Sequence, residues 1–218
     1  QGGTKSILVA DNGCGIAKED IPLSLRRHAT SKISVEDDLF SISTLGFRGE
    51  ALASISSVSN FTLSTCTDDY QTGYRIKFIN SKLCEIESCV QTKGTSIKVE
   101  NLFYNVPVRK KFLKSAQAEF AHCYEYVQAL SLAKPYLSFN LIHNDRKKLE
   151  TIKTKQTSDN KWYGEQVIKK RASDVLGLES DSKSFMYAKE SNAYFSFEAI
   201  ISPPGLEKSS SKYMFFFV

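Results

Sequence analysis

Residues 6–15 read Ser-Ile-Leu-Val-Ala-Asp-Asn-Gly-Cys-Gly. The apolar run from Ile7 to Val9 has the length of a short buried strand, and turn-forming residues follow it at once. The pattern therefore predicts a strand that feeds a tight turn at Asp11. Such a turn has an ordinary structural explanation, because Asn-Gly adopts positive φ at little cost.

The same turn also has a functional interpretation. A carboxylate at a strand end, here Asp11, accepts a hydrogen bond from an exocyclic amine such as that of adenine. Gly13 and Gly15 carry no side chain, so a planar ring can approach their backbone. A charge-assisted bond of this kind contributes roughly 1.5–3 kcal/mol. Asp11, Gly13 and Gly15 are therefore candidate residues of a base pocket.

Two further glycine turns precede predicted regular elements. Residues 45–52 read Leu-Gly-Phe-Arg-Gly-Glu-Ala-Leu, where Gly46 and Gly49 let the chain wrap a phosphate before a helix predicted from Gly49 to Ser56. The alternative is a glycine-shaped turn in which Glu50 stabilises its own helix start. Lys-Gly-Thr-Ser at 93–96 opens another strand, and Thr95 either bonds a base edge or Asp11 or merely follows β-propensity.

The rest of the chain alternates helical and strand-like patterns, which predicts an α+β protein. Lys155 to Lys161 is polar and without apolar period, and it suggests a boundary between domains at 1–157 and 158–218. We expect helices at Asp20–His28, Phe112–Leu130 and Gln166–Leu176, a loop at Ala29–Leu45, a hairpin at Leu137–His143 and Lys148–Thr154, and strands at Tyr74–Phe78, Leu83–Val90, Ser96–Leu102, near Phe185, and at Tyr194–Ile201 and Tyr213–Val218.

Composition excludes several classes of protein. The 218 residues are 41% hydrophobic and 24% charged, which is incompatible with a disordered chain or a coiled coil. A net charge of +5 permits a nucleic-acid or nucleotide partner without requiring one. Five cysteines with no C-x-x-C pair argue against a disulfide framework or zinc cluster and favour a reducing compartment.

Five segments, taken in order, resemble the MutL family of DNA mismatch-repair proteins. The resemblance extends from about Ser6 to Leu113 and more loosely beyond. The segments are Asp-Asn-Gly-Cys-Gly at 11–15, His-Ala-Thr-Ser-Lys-Ile at 28–33, Gly46 to Ile55, Gly-Thr at 94–95, and Phe-Tyr-Asn-Val-Pro-Val-Arg-Lys-Lys-Phe-Leu at 103–113. Asp-x-Gly-x-Gly alone is shared with gyrases, Hsp90-type chaperones and histidine kinases, the other members of the GHKL superfamily.

The resemblance implies an N-terminal GHKL ATPase region of the Bergerat type, in which helices cover a mixed or antiparallel sheet. Part of a transducer domain, similar to domain 2 of ribosomal protein S5, would follow. ATP and Mg²⁺ are the implied cofactors. By motif, Asp11 would recognise adenine beside Gly13 and Gly15, with Thr95 in support. Thr30, Ser31 and Lys32 would belong to a lid, and Gly46, Phe47, Arg48, Gly49 and Glu50 would line the phosphates.

The family's catalytic groups are expected outside this chain. The general-base Glu and the Mg²⁺-binding Asn would precede Gln1, and the lysine that reaches the γ-phosphate would follow Val218. No catalytic residue and no metal ligand is therefore assigned within the chain. Since hydrolysis needs a base and a compensating cation, we expect the chain alone to be inactive and the intact protein to be an ATPase.

Three basic clusters suit the DNA backbone that family members bind with little sequence preference. They are Arg109-Lys110-Lys111, Arg146-Lys147-Lys148 and Lys169-Lys170-Arg171, of which the first is the candidate DNA contact. The alternative for each is a solvated surface.

The expected function is an ATP-gated dimerising clamp that couples mismatch recognition by a MutS-type protein to strand incision and removal. The dimer would be a homodimer or a heterodimer of paralogues, in a bacterial cytoplasm or a eukaryotic nucleus. The alternatives are a non-catalytic scaffold or adaptor with the same fold in a DNA-repair complex, and a chaperone or topoisomerase subunit of the superfamily.

Overall fold

The computed structural model describes residues 1–29, 46, 48–68, 72–79, 82–154, 164–177, 185–205 and 209–217. The chain divides into two compact units, Gln1–Glu119 and Phe120–Val218. The domain boundary expected at 157/158 stays a prediction, because residues 155–163 around it lie outside the described part. The loop expected at Ala29–Leu45 falls outside it too, apart from Ala29 itself.

The first unit is built on an antiparallel sheet of six strands. Its order is β1-β6-β2-β3-β4, and β5 also pairs with β3. The elements of this unit are β1 Ser6–Asp11, a 3-10 turn Lys18–Asp20, α1 Ile21–Ser24, α2 Ala51–Ser56, β2 Asn60–Cys66, β3 Gly73–Ile79, β4 Lys82–Leu83, β5 Glu87–Cys89, β6 Gly94–Glu100 and α3 Pro107–Lys111; the 18-residue helix α4 Ala116–Ala133 begins here and continues into the second unit.

Strand β2 is the central strand of this sheet. The sequence pattern did not predict it. It pairs with β3 on one side and β6 on the other, and Phe61, Leu63 and Thr65 alternate along its buried face. This period of two is visible in the sequence, although Ser and Thr between the apolar residues obscure it. The strand expected at Leu83–Val90 is instead divided into β4 and β5, which both pair with β3.

One face of the sheet carries the core. Ile21 of α1 joins Phe61, Leu63, Ile76 and Val99 of the sheet in a buried cluster, against which Leu52 and Ile55 of α2 pack. The opposite face is polar; across it Arg75 Nε donates to Ser64 Oγ over 3.2 Å. Short helices can lie over this sheet because its apolar residues occur at alternate positions and all face the same side.

The helix expected at Asp20–His28 was too long. Helix α1 ends at Ser24, whose hydroxyl donates to the carbonyl of Ile21 over 2.7 Å. Serine and threonine hydroxyls that take up backbone carbonyls in this way compete with helix continuation. His28 then adopts a positive φ of 64°, which no helix contains.

The long helix expected from Phe112 is also interrupted. Helix α3 ends at Lys111, and Phe112 lies outside both helices with 80% of its surface exposed. The new helix α4 starts after Ser115, whose Oγ accepts from the Ala118 N–H over 3.3 Å, the hydrogen bond of an N-cap. Capping chemistry therefore outweighs the apolar spacing that predicted one continuous helix.

The second unit contains two hairpins and a helix. Strands β7 Phe139–His143 and β8 Arg146–Thr151 form the expected first hairpin, α5 spans Glu165–Leu176, and β9 Met186–Ser191 pairs with β10 Ser196–Ile201. The strand expected at Tyr213–Val218 is absent from the described residues, which instead form a 3-10 turn at Ser211–Tyr213 and continue to 217 without regular structure. No described strand pairs with them, and a strand needs such a partner.

Arg171 of α5 organises this unit. Its side chain is buried and donates to Thr151 Oγ1 over 2.6 Å and to the carbonyls of Pro135, Leu137 and Ile152 over 2.6–2.9 Å. Burial lowers the pKa of this guanidinium, and the charge of Asp174 opposes that effect. Within the described residues, no helix has the length and apolar character that crossing a bilayer requires.

Candidate functional site

The core face of the first sheet ends in a row of polar side chains. Asp11 of β1 lies opposite Thr95 of β6, and Thr95 lies opposite Thr65 of β2. One step back along each strand on the same face, the row consists of the apolar residues Val9, Ile97 and Leu63. Because directly paired residues share a face, the change from apolar to polar occurs on all three strands at the same level.

Asp11 is oriented by the backbone alone. Its Oδ1 accepts from the Gly13 N–H over 2.9 Å and from the Thr95 N–H over 3.3 Å. Among the described residues no hydrogen bond reaches Oδ2, and the side chain is exposed. The carboxylate is therefore held in one orientation while one oxygen stays available to a ligand. The sequence left open whether the Thr95 hydroxyl bonds a base edge or Asp11 or merely follows β-propensity; in the structure it is the Thr95 amide that bonds Asp11.

Thr65 belongs to the same polar row, and the sequence pattern did not single it out. Its fully buried hydroxyl accepts from the Ile16 N–H over 2.8 Å and lies 3.2 Å from the Gly94 carbonyl and 3.1 Å from Thr95 Oγ1. It thus joins the segment after Gly15 to the Gly-Thr turn, although these segments are about 80 positions apart in the sequence. The cross-strand pairing of β2 with β6 is the only signal that identifies it.

Two glycines of the turns have structural reasons to be glycine. Gly15 and Gly94 both have positive φ. A Cβ on Gly15 would overlap the carbonyl of Cys66, and a Cβ on Gly94 would overlap the carbonyl of Asp11. The close approach of these backbones brings the first and third motifs together around Asp11.

The second motif lies against the segment that precedes residue 30. Gly49 has a φ of 62°, and a Cβ there would overlap the carbonyl of Ala29. Beside it His28 Nδ1 and Glu50 Oε1 are 3.1 Å apart; the His28 side chain is largely exposed and that of Glu50 is half-buried. Glu50 is the N-cap residue of α2 but makes no side-chain cap, so its carboxylate is directed to His28 instead.

The expected site residues therefore fall into three sets. Asp11, Gly13, Gly15 and Thr95 meet at the ends of β1 and β6. Gly49 and Glu50 meet His28 and Ala29 at the start of α2, and Leu52 and Ile55 of that helix pack on the core face that ends in the polar row. Gly46 and Arg48 are exposed residues of the same motif. The remaining candidates, Thr30, Ser31, Lys32 and Phe47, lie outside the described residues.

The basic clusters differ in what their charges do. Arg109, Lys110 and Lys111 are exposed on α3, and within the described part of the chain no ion pair involves them. In the third cluster, Arg171 is buried, Lys169 pairs with Glu165 at 2.7 Å and Lys170 with Asp174 at 3.3 Å. The structural explanation therefore accounts for that cluster.

In the second cluster, one of the three charges is paired and the other two face solvent. In it Lys147 pairs with Glu150 at 2.8 Å, while Arg146 and Lys148 are exposed on the β7–β8 hairpin. Over the described ranges, no group of three or more His, Cys, Asp or Glu side chains is arranged to hold a metal ion. The described residues therefore combine an oriented carboxylate beside glycine turns with an exposed cationic surface on α3.

The sequence is similar to curated MutL proteins. It is 42% identical to the DNA mismatch repair protein MutL of Streptococcus pyogenes over 216 residues, and 42% identical to that of Streptococcus equi subsp. equi over 214 residues. Each alignment covers 98% of this chain. The chain belongs to the MutL family. It spans about 31% of the length of these relatives, and no protein-family model matches it.

Comparison with solved structures agrees with the assignment of this chain to the MutL family. The Aquifex aeolicus MutL ATPase domain complexed with ADP aligns with a TM-score of 0.61 and 25% identity, covering 85% of this chain and 60% of that one. The N-terminal domain of a DNA repair protein aligns with a TM-score of 0.70 and 22% identity over 97% of this chain and 63% of that one, which shows the fold. The expected α+β fold with an antiparallel sheet and covering helices is confirmed.

Proposed function

We propose that this MutL chain forms the adenine-binding side of a mismatch-repair ATPase. The observation that carries the proposal is the Asp11 carboxylate, whose Oδ1 is held by the amides of Gly13 and Thr95 while Oδ2 is unpaired among the described residues. An oriented acceptor next to side-chain-free backbone suits a planar base with an exocyclic amine. The solved relative that contains ADP supports a nucleotide as the ligand.

The phosphates are assigned to the second motif. In this proposal the backbone amides of Gly46, Phe47, Arg48, Gly49 and Glu50 line the phosphate chain, and Thr30, Ser31 and Lys32 close over it. The tight passage of Gly49 past Ala29 supports this, since it holds the phosphate motif against the segment that leads into the proposed lid. Mg²⁺ is proposed as a cofactor of the whole protein, and no described residue is assigned to it.

The whole protein is proposed to act as an ATP-gated clamp in DNA mismatch repair. ATP would favour a closed dimer, either a homodimer or a paralogue heterodimer, through contacts that the open state lacks. A MutS-type protein would supply the mismatch signal, and incision and removal of the strand would follow. The exposed charges of Arg109, Lys110 and Lys111 would contact DNA phosphates. The compartment would be a bacterial cytoplasm or a eukaryotic nucleus.

Nucleotide selectivity tests the base pocket directly. We expect calorimetric titration of the full-length protein to show tighter binding of ATP than of GTP, by tenfold or more, because GTP places a carbonyl where Asp11 needs an amine. UTP and CTP serve as comparison nucleotides with smaller bases. Equal affinities for ATP and GTP, or no binding of either, would refute the proposed adenine site.

A further inference from the structure

The Thr65 hydroxyl has three polar neighbours and only one hydrogen to give. The Ile16 N–H is a donor, so it occupies one lone pair of Thr65 Oγ1 at 2.8 Å. The Gly94 carbonyl, 3.2 Å away, is an acceptor, so Thr65 must donate its hydrogen in that contact. One lone pair is then left for the third neighbour, the Thr95 hydroxyl at 3.1 Å.

The bonds to Ile16 and Gly94 determine which hydroxyl donates in the hydrogen bond between Thr65 and Thr95. All three neighbours of Thr65 are satisfied only when Thr95 donates its hydrogen to Thr65. Thr65 is fully buried, so an unmet bond to Gly94 or Ile16 is costly, and solvent does not replace it. Thr95 is half-buried, and its Oγ1 forms no other hydrogen bond among the described residues.

We propose that Thr65 is a positioning residue that takes up the hydroxyl hydrogen of Thr95, so that Thr95 faces the base as a hydrogen-bond acceptor. The inference rests on the proposed adenine site. Asp11 and Thr95 are direct cross-strand partners, so their side chains are neighbours on one face of the sheet and together would present two acceptors, Asp11 Oδ2 and Thr95 Oγ1. An exocyclic amine has two hydrogens and satisfies both.

The consequence is selectivity for a 6-amino over a 6-oxo purine. A carbonyl oxygen at this position meets two acceptors and finds no donor. Replacing Thr65 by valine keeps the β-branched shape and removes the hydroxyl, which releases the hydrogen of Thr95 to donate to the ligand. The variant therefore acts on the two purine classes in opposite directions, which loss of structural support alone does not do.

The test measures the affinities of the full-length protein for ATP and for inosine triphosphate, which carries oxygen in place of the amine. In Thr65→Val we expect binding of ATP to weaken roughly fivefold to tenfold while binding of inosine triphosphate strengthens. Thr65→Ser retains the hydroxyl and restores the ratio of the unmodified protein. Thr62→Val, on the opposite face of the same strand, is the matched control and leaves the ratio unchanged.

Equal loss of affinity for both nucleotides in Thr65→Val would overturn the inference, because it would mean that Thr65 only supports the turn. Where Thr65→Val does not fold, Thr95→Val is the deciding variant. It removes one acceptor, so we expect ATP binding to weaken and the ratio of the affinities for ATP and inosine triphosphate to decrease. An unchanged ratio overturns the inference. If the unmodified protein prefers ATP but Thr65→Val leaves the ratio of the two affinities unchanged, the adenine site stands and only the proposed role of Thr65 is refuted. An unmodified protein that binds neither nucleotide overturns both.

Discussion

Asp11 and Thr95 face each other across β1 and β6, and the amide of Thr95 donates to Asp11 Oδ1 over 3.3 Å. This single relationship joins two motifs that are 84 residues apart in the chain. It also explains why the carboxylate keeps a fixed orientation at an exposed position, where a side chain without such bonds would sample several rotamers.

Replacing Asp11 by asparagine or alanine is expected to weaken ATP binding by the full-length protein roughly tenfold or more, in line with the loss of one charge-assisted hydrogen bond. Affinity is to be measured by calorimetry, with circular dichroism to verify the fold. Asp20→Asn is the control, because Asp20 is an exposed carboxylate beside α1 that makes no side-chain cap. Unchanged affinity in a folded Asp11→Asn protein would remove Asp11 from the site.

Gly94→Ala is expected to destabilise the first unit by about 3 kcal/mol or more, because φ is 116° and the new Cβ would overlap the Asp11 carbonyl. Urea denaturation followed by fluorescence measures this change. Gly46→Ala is the matched control, since nothing lies within 4 Å of a Cβ at that position; its effect should stay within about 0.5 kcal/mol. Similar stabilities for the two variants would contradict the close approach of β1 to residue 94.

Arg171→Met is expected to lower the free energy of unfolding by about 3 kcal/mol or more, because it removes the buried guanidinium that donates four hydrogen bonds, to Thr151 Oγ1 and to the carbonyls of Pro135, Leu137 and Ile152. Arg171→Lys should recover only part of the loss, since one ammonium cannot reproduce the planar fork. The control is Lys170→Met, which removes the exposed Lys170 ammonium and its single ion pair with Asp174. Equal denaturation midpoints for Arg171→Met and Lys170→Met would contradict this role.

Neutralising Arg109, Lys110 and Lys111 with glutamine is expected to weaken binding of duplex DNA by the full-length protein. The slope of log affinity against log salt should also decrease by about 0.9 for each phosphate contact that is lost. Binding is to be followed by fluorescence anisotropy at several salt concentrations. The control is the Lys169→Gln, Lys170→Gln double variant, whose charges pair with Glu165 and Asp174. A salt slope that does not change in the triple variant would exclude the α3 cluster from DNA binding.

Tyr187 is expected to ionise later than ordinary tyrosines. Burial, and then the hydrogen bond to Glu198 Oε1 at 2.7 Å, raise the pKa of Tyr187 to about 12, above the ordinary value of about 10. The folded-state pKa is the higher one, so this stabilisation is complete below about pH 10 and is lost as the pH rises through about 12.

The tyrosinate absorbance of the protein, minus that of Tyr187→Phe, isolates this titration among the ten tyrosines. Glu198→Gln should move the difference signal to lower pH, since it removes the carboxylate that disfavours the phenolate. Glu190→Gln is the control, because Glu190 lies on β9, the strand that also contains Tyr187. A difference signal centred near pH 10 in the unmodified protein would contradict the hydrogen bond between Tyr187 and Glu198.

The parts of the fold that follow from local chemistry were predictable. The strand that ends at Asp11, the alternating strand around Ile76 and the hairpin at residues 139–151 each have a pattern that lies within one element. The first of them was wrongly expected to be buried: Leu8 and Val9 are mostly exposed, because β1 lies at the edge of the sheet. Errors occurred where a competing local bond ended an element early. The Ser24 hydroxyl shortened α1, and the Ser115 cap separated α4 from Phe112, although both positions fit the apolar spacing.

The sequence by itself determined that Asp11, Gly15, Gly49 and Gly94 lie at or next to the ends of strands and helices, because turn-forming residues and glycines that allow positive φ mark these positions locally. Only the tertiary structure decided what those turns meet. The buried hydroxyl of Thr65 and the pairing of His28 with Glu50 depend on strand register and on chain segments far apart in sequence. Hydrogen bonds act over about 3 Å of space whatever the separation along the chain, so no local pattern contains them.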